Sequence, residues 1–278
     1  MKNVLITGVS TGIGYGSLKE FVTRGYHVYG SVRKQEDADR LKSEFGSGYT
    51  PLIFDVTDQK SIDRAAELVT EEMSGSGLAC LVNNSGIAIG GPLQYQDIGD
   101  IEYHFKVNVI GLMRVTKAFL PLLGAREGHS ISPGRIINIS SVAGQIAQPF
   151  VGAYVGSKHA VEGLSHSLRR ELLIYGIDVI IVGPGAVKTP IWDKGIKMDQ
   201  YGDTPYGSIL KRFAKVAKRG GEEGLSIDHL GRQIADIAER SNPKVRYAFV
   251  PKSLTNWTIP KLMPHRMIDR FIKKQLMK

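Results

Sequence analysis

The sequence predicts an α/β protein, a doubly wound parallel sheet with helices on both faces. Three observations carry this expectation. Strand-like and helix-like segments alternate from the first residues onward. A glycine-rich turn joins the first strand to the first helix. Every chemically suggestive residue then falls just past the carboxyl end of a strand, or on the helix after it, where open parallel sheets bind their ligands.

Val4-Leu5-Ile6 reads as a short buried strand. It runs into Thr7-Gly8-Val9-Ser10-Thr11-Gly12-Ile13-Gly14 and a helix through Leu18, Phe21 and Val22. Glycines between a strand and a helix N-terminus let backbone N–H groups approach a pyrophosphate, whose charge the helix dipole favours. The spacing is G-x-x-x-G-x-G, not the common G-x-G-x-x-G. An ordinary tight turn is the structural alternative; three glycines before an amphipathic helix favour a dinucleotide.

The second strand, His27–Val32, is followed by Arg33 and Lys34. An acid at the end of this strand would hold the ribose hydroxyls of NAD and repel a 2′-phosphate. Val32 stands in its place, and a guanidinium at Arg33 can grip the phosphate through paired hydrogen bonds. The arrangement favours NADP(H), with NAD(H) still open, over a pair of solvated loop charges. A helix near Ala38–Phe45 leads to a third strand, Pro51–Phe54, ending at Asp55. That carboxylate can accept from the adenine amino group or cap the following helix.

The fourth strand, Ala79–Val82, ends in Asn83-Asn84-Ser85-Gly86, suited to a loop that touches cofactor and braces neighbouring strands. A long helix is expected from Ile101 to Leu123, with Asn108 on its apolar stripe. Asparagine is a poor helix former, and when buried it must find partners, so it either bonds locally or serves the site. The fifth strand, Arg135–Ile139, delivers Ser140-Ser141. Tyr154 and Lys158 follow, four residues apart on one helix face. A fixed ammonium favours the phenolate and draws a phenol from its usual pKa of ~10 towards working pH, fit for proton exchange with an alcohol or carbonyl oxygen. Tyr-x-x-x-Lys alone is weak evidence, because it arises by chance on solvated helices. The sixth strand, Asp178–Val182, runs into Gly183-Pro184-Gly185-Ala186-Val187-Lys188-Thr189-Pro190.

With 278 residues, 42% hydrophobic, the chain can bury a substantial core. Cys80 is the single cysteine, which rules out an intrachain disulfide and a cysteine-based metal cluster. The chain opens directly into a strand and holds no apolar run near the ~20 residues that span a bilayer, so the expected location is the cytoplasm. The net charge of +9 sits in the tail: residues 240–278 carry ten Lys/Arg against Asp269 alone, while the other 239 residues balance. A nucleic-acid-binding face is therefore not expected.

In order and spacing, Thr7-Gly8-x-x-x-Gly12-x-Gly14, Asn83-Asn84-Ser85-Gly86, Asn108, Ser141, Tyr154-x-x-x-Lys158 and Pro184-Gly185 resemble the short-chain dehydrogenase/reductase family over residues 1–250. The resemblance implies a seven-stranded Rossmann-type sheet and hydride transfer between a nicotinamide and a carbonyl/alcohol pair. By resemblance Tyr154 is the general acid/base. Lys158 lowers its pKa and holds the nicotinamide ribose, Ser141 polarises the substrate oxygen, and Asn108 holds a water linked to Lys158. Ser141 is preferred to Ser140 because the family serine lies thirteen residues before the tyrosine. The implied cofactor contacts are Gly8, Ser10, Thr11, Gly12, Ile13, Gly14, Arg33, Asp55, Val56, Asn83, Ser85, Gly86, Tyr154, Lys158, Pro184, Gly185, Val187 and Thr189. Ser85 replaces the usual alanine. A homodimer or homotetramer packed through long helices is also implied.

Residues 191–225, with Trp192, Met198, Tyr201 and Tyr206, are expected to cover a lipophilic alcohol, ketone or aldehyde, or else to form a peripheral helix pair. Residues 251–278 form a basic extension in which Met267, Ile268, Phe271, Ile272 and Leu276 make one helical stripe. Packing on the body or on a partner subunit is favoured over a membrane surface. The tail resembles those of steroid- and retinoid-type members. Two competing readings are a nucleotide-sensing protein without catalysis, which would typically lack the tyrosine or lysine, and a sugar-nucleotide epimerase, which would resemble G-x-x-G-x-x-G at the first turn.

Overall fold

The computed structural model describes residues 2–276 other than 127, 129, 130, 190 and 192–197. Trp192, expected over the substrate, lies outside the described residues, and so does the side chain of Met198. Seven parallel strands lie in the order β3-β2-β1-β4-β5-β6-β7. They are β1 Asn3–Ile6, β2 His27–Val32, β3 Tyr49–Ile53, β4 Leu78–Asn83, β5 Arg135–Ile139, β6 Asp178–Pro184 and β7 Arg246–Phe249. Strand order reverses between β1 and β4, so the crevice for a ligand opens beyond Ile6 and Asn83.

Side chains alternate across each strand, and both faces are apolar because both are covered. Leu5, Leu81, Ile136 and Val179 face one layer, made by α3 Gln59–Met73, α5 Leu112–Phe119 and α6 Gly152–Glu171. Val4, Ile6, Val82, Ile137 and Ile180 face the other, made by α1 Gly12–Thr23, α2 Gln35–Phe45 and α8 Ile227–Glu239. α1 and α8 touch almost backbone to backbone. A Cβ on Gly16 would collide with the Ile227 carbonyl, and one on Gly231 with the Gly16 carbonyl.

The long helix expected over Ile101–Leu123 is longer and irregular. It begins as α4, Ile98–Phe105, capped by Asp97, whose carboxylate accepts from Gly99 N. It widens into a π-helical turn at Lys106–Gly111, continues as α5, and tightens into a 3-10 turn at Leu120–Leu123, where Pro121 cannot donate. The basic stretch is part of α7, Gly207–Glu222. After β7 come a π turn at Leu254–Thr258, a short helix Ile259–Leu262, and α9, His265–Leu276. The tail's apolar stripe divides. Ile268, Ile272 and Leu276 are half-buried, and Leu276 packs against the cluster of Phe150, Tyr201 and Leu210. Met267 and Phe271 stay exposed. Among the described residues no helix is long and apolar enough to cross a membrane.

One polar chain crosses the core between β4 and α6. Asn83 Nδ2 donates to Thr116 Oγ1 and to Asn138 Oδ1, both at 2.9 Å, and Asn138 Nδ2 donates to Ser165 Oγ at 2.8 Å. All four residues are buried. Asn138→Ala strands an Asn83 donor and leaves Ser165 Oγ with only its bond to the Val161 carbonyl. It is expected to destabilise the fold by about 1–3 kcal/mol, read as a lowered urea midpoint with an unchanged slope.

Candidate active site

The first turn is built so that its backbone can close on itself. Gly8 and Gly12 take left-handed φ values of 70° and 64°. A Cβ on Gly14 would collide with the Gly8 carbonyl. Thr7 Oγ1 accepts from Asn84 N and Ser85 N, both at 2.9 Å, and Asn84 Nδ2 donates to the Thr7 and Gly8 carbonyls. The turn is thereby riveted to β4 across the switch point. On its other side Gly8 N donates to Ser31 Oγ at 3.0 Å. Thr11 starts α1 without a side-chain cap, and the first turn of α1 holds no acid. A close-approach cradle at a free helix N-terminus fits a dinucleotide pyrophosphate.

The predicted cofactor residues divide around this cradle. Gly8, Ser10, Thr11, Gly12, Ile13 and Gly14 form it, Ser85 lies against Gly8, and Gly86 lies between Asn108 and Lys158. Thr189, on the bend after β6, lies beside Gly12, where a Cβ would come 3.3 Å from its methyl group. Pro184 ends β6, and Gly185 N donates to the Phe249 carbonyl at 2.9 Å. Val187 is buried and pairs with Leu225. Two predicted side chains are instead used internally. Asn83 is enclosed by Thr116 and Asn138, and Val56 is buried against Gly111. Asp55 closes its own turn by accepting from Thr57 N and Oγ1 at 2.8 and 2.7 Å, while Asp58 caps α3.

At the end of β2 Val32 is buried, and no acid replaces it there. Arg33 points outward with its guanidinium 3.9 Å from Asp55. A second guanidinium, missed in the sequence, comes from α2: Arg40 donates to the Ser10 carbonyl at 2.9 Å and pairs with Asp37. On paper it is one charge among many on a solvated helix.

The reacting end lies on α6 and the loops around it. Lys158 is buried, and its Nζ donates to the Ile139 carbonyl at 2.8 Å and lies 5.8 Å from the centre of the Tyr154 ring. Gly86 separates Lys158 from Asn108: a Cβ there would lie 3.2 Å from Asn108 Oδ1 and 3.7 Å from Lys158 Nζ. Asn108 sits in the π turn. Its Oδ1 accepts from Ile87 N, and its Nδ2 donates to the Ile87 carbonyl and to Ser157 Oγ. Its side chain thus clamps the loop after β4 to α6, and π turns of this kind recur at functional sites.

The two serines are sorted by their partners. Ser140 Oγ donates to Glu162 at 2.9 Å. Ser141 Oγ accepts from Ala143 N at 3.1 Å and donates to the Pro184 carbonyl at 3.4 Å, and it lies near enough to the Tyr154 phenol to lower its pKa. Of the two, Ser141 is therefore the serine beside the Tyr154 phenol. Burial raises the Tyr154 pKa above its ordinary value, and the Ser141 hydrogen bond opposes it. The direction is opposite to the one expected from an adjacent lysine. Burial drives Lys158 down to about 8, with the Glu162 charge pulling the other way.

An aromatic cluster lies just before the start of α6. Phe150 packs edge-on against Tyr206 and Phe213, with centroids 5.7 and 5.5 Å apart, and Tyr206 against Tyr95 at 6.0 Å. Phe150 adopts a left-handed φ of 64°, unusual for a bulky residue, and its carbonyl accepts from Gly91 N at 2.7 Å.

The short chain dehydrogenase family model matches residues 2–200. The chain belongs to this family. Within it, the chain is an oxidoreductase. It is 37% identical over its whole length, and over 98% of the relative's, to an NADPH-dependent 3-dehydrocapnine reductase of Ornithobacterium rhinotracheale. Among solved structures, a short-chain dehydrogenase from Streptomyces avermitilis aligns over 92% of this chain and 90% of its own, with a TM-score of 0.78 and 27% identity. ElxO with NADP bound aligns over 92% and 99%, with a TM-score of 0.73 and 26% identity. As in other short-chain dehydrogenases, the seven strands are parallel and the sequence motifs meet at one sheet edge.

Gly14→Ala forces α1 away from the Gly8 carbonyl and spoils the cradle. NADPH affinity, followed by nicotinamide fluorescence, is expected to fall more than about tenfold, ~1.4 kcal/mol, with far-UV circular dichroism unchanged.

Proposed function

We propose that this short-chain dehydrogenase is an NADPH-dependent reductase of a lipophilic ketone, with Tyr154 as the proton donor. The likeness to an NADPH-dependent reductase supports the direction. A tyrosine whose phenol stays protonated at neutral pH is in the form that reduction of a carbonyl requires.

NADP(H) is the cofactor. Val32, Arg33 and Arg40 leave room and positive charge for a 2′-phosphate beyond β2. The glycine turn of residues 8–14 holds the pyrophosphate, and Lys158, Pro184, Gly185 and Thr189 are placed to hold the nicotinamide half. When bound, the cofactor supplies the hydride. Tyr154 donates a proton to the oxygen as charge grows on it, and Ser141 aims a hydrogen bond at the same atom. Lys158 adds a fixed positive charge from below, and Asn108 keeps the loop of Gly86 against it.

The lipophilic substrate class rests on the wall of Phe150, Tyr206 and Phe213, and on the likeness to a reductase named for a 3-dehydro compound. Exposed Tyr103 and Ile110 on the long helix and Leu164 on α6 support a homodimer or homotetramer packed through these helices.

Tyr154→Phe is expected to lower kcat for NADPH-driven ketone reduction by roughly 10²–10⁴-fold while leaving NADPH binding in place. Undiminished turnover would remove Tyr154 from the role. Arg33→Asp places an acid where a 2′-phosphate would lie. It is expected to raise the KM for NADPH by more than about tenfold and to improve that for NADH, measured side by side at 340 nm.

A further inference from the structure

Behind the two serines lies a buried ion pair that hydride transfer does not call for. Glu162 stands one helical turn beyond Lys158 on α6, and its side chain is 6% exposed. Arg246, from β7, reaches it with side-chain exposure of 13%. Arg246 Nη2 donates to Glu162 Oε1 at 2.8 Å, and its Nε donates to Oε2 at 2.9 Å. The carboxylate also accepts from Ser140 Oγ at 2.9 Å and Gln145 Nε2 at 2.7 Å. The same Arg246 Nη2 donates to the Ser141 carbonyl at 3.2 Å.

Glycines make the space. A Cβ on Gly144 would lie 2.6 Å from both Glu162 Oε1 and Ser140 Oγ, and one on Gly183 would collide with the Arg246 guanidinium. From outside, the Trp257 ring of the tail covers Arg246, with the guanidinium carbon 4.7 Å from its centre.

We propose that the Glu162–Arg246 pair is a positioning device for the reaction: it ties the Ser140–Gln145 turn at both ends, aiming Ser141 at Tyr154, and supplies Lys158 with a counter-charge. The proposal rests on the reductase reading above. Two effects follow from the geometry. Ser141 is presented from a turn whose neighbour, Ser140, and whose own carbonyl are both held by the pair. Lys158, whose one neutral acceptor is the Ile139 carbonyl, keeps its proton through the nearby carboxylate. Among the described residues the charged and titratable groups facing this pocket are Tyr154, Lys158 and Glu162 from α6 and Arg246 from β7; β5 and the 140–145 turn offer hydroxyls, an amide and carbonyls. Burial alone would raise the Glu162 carboxyl, but the Arg246 guanidinium together with the Gln145 and Ser140 hydrogen bonds outweighs it and holds the group below its usual value. The carboxylate is thus charged throughout the neutral range.

The test follows NADPH oxidation by a ketone that the wild-type protein reduces, across neutral and alkaline pH. Lys158 loses its charge as pH rises through about 8, which sets the alkaline limb. Glu162→Gln removes the counter-charge; kcat is expected to fall about tenfold or more, and the limb to start roughly one pH unit lower. Glu162→Asp keeps the charge and should return the limb towards its wild-type position with kcat only partly restored. Arg246→Lys loses the Ser141 carbonyl contact and should lower kcat without raising the KM for NADPH. A limb that stays in place in Glu162→Gln, or unchanged kcat in both Glu162→Gln and Arg246→Lys, overturns the proposal. If Glu162→Gln does not fold, Ser140→Ala, which cuts the seam and leaves every charge, must lower kcat or the proposal falls. The pH dependence of NADPH affinity, read by fluorescence, reports Lys158 without any substrate. An unreduced ketone panel would therefore defeat the substrate reading alone, whereas identical affinity profiles for wild type and Glu162→Gln would defeat this one.

Discussion

A lysine ammonium held away from water is the constraint on which the site depends. Taking a charge out of water is unfavourable unless dipoles and counter-charges replace the solvent. Around Lys158 the replacements come from distant parts of the chain. They are the Ile139 carbonyl at the end of β5, the Glu162 carboxylate one turn along α6, and the polar edge of Asn108 across Gly86. Each supplier is itself anchored. Asn108 is gripped by the backbone of Ile87 and by Ser157, and Glu162 by Arg246 from the last strand. The result is a stiff frame at the carboxyl edge of β4 to β6, and the Tyr154 phenol mounted on it.

The frame continues into the cofactor cradle through β4. Asn84 fastens the first turn from the carbonyl side, and Thr7 returns the bond to the next two amides. Gly14 is required because backbone meets backbone there, and Gly8 and Gly12 because their backbones are left-handed, not because the turn is loose. The close approach of α1 to α8 at Gly16 and Gly231 has the same character. Together they fix the direction in which the N-terminus of α1 points, which decides where a pyrophosphate can rest.

The tail is tied into this arrangement at two points. Trp257 lies over Arg246, and Leu276 closes the aromatic cluster that includes Phe150, with Arg212 donating to its carbonyl at 3.1 Å. The first contact lies behind Ser141 and the second at the Phe150 cluster that precedes α6. The apolar stripe divides accordingly, one side turned to the body and Met267 and Phe271 to solvent. The concentration of positive charge in residues 240–278 is compatible with this packing because most of the cations stay on the outer faces.

The sequence alone was enough for the sheet and the reaction class, and it named most of the residues that the fold brings to the candidate site. Strand and helix periods are local, and glycine spacing, Tyr154-x-x-x-Lys158 and Ser141 each declare themselves within a few residues. Even Glu162 could have been read from its position four residues past Lys158. What the sequence could not carry was partnership across the sheet. Whether Asn83 faces a cofactor or the interior depends on Thr116 and Asn138, which lie far along the chain. Arg40 looked like a solvated helix charge until α2 brought it to the Ser10 carbonyl. Arg246, which no sequence motif singles out, meets Glu162 only because β7 places it there. The direction of the Tyr154 pKa was likewise a tertiary matter, because burial, which no local pattern records, outweighs the neighbour that the spacing announces.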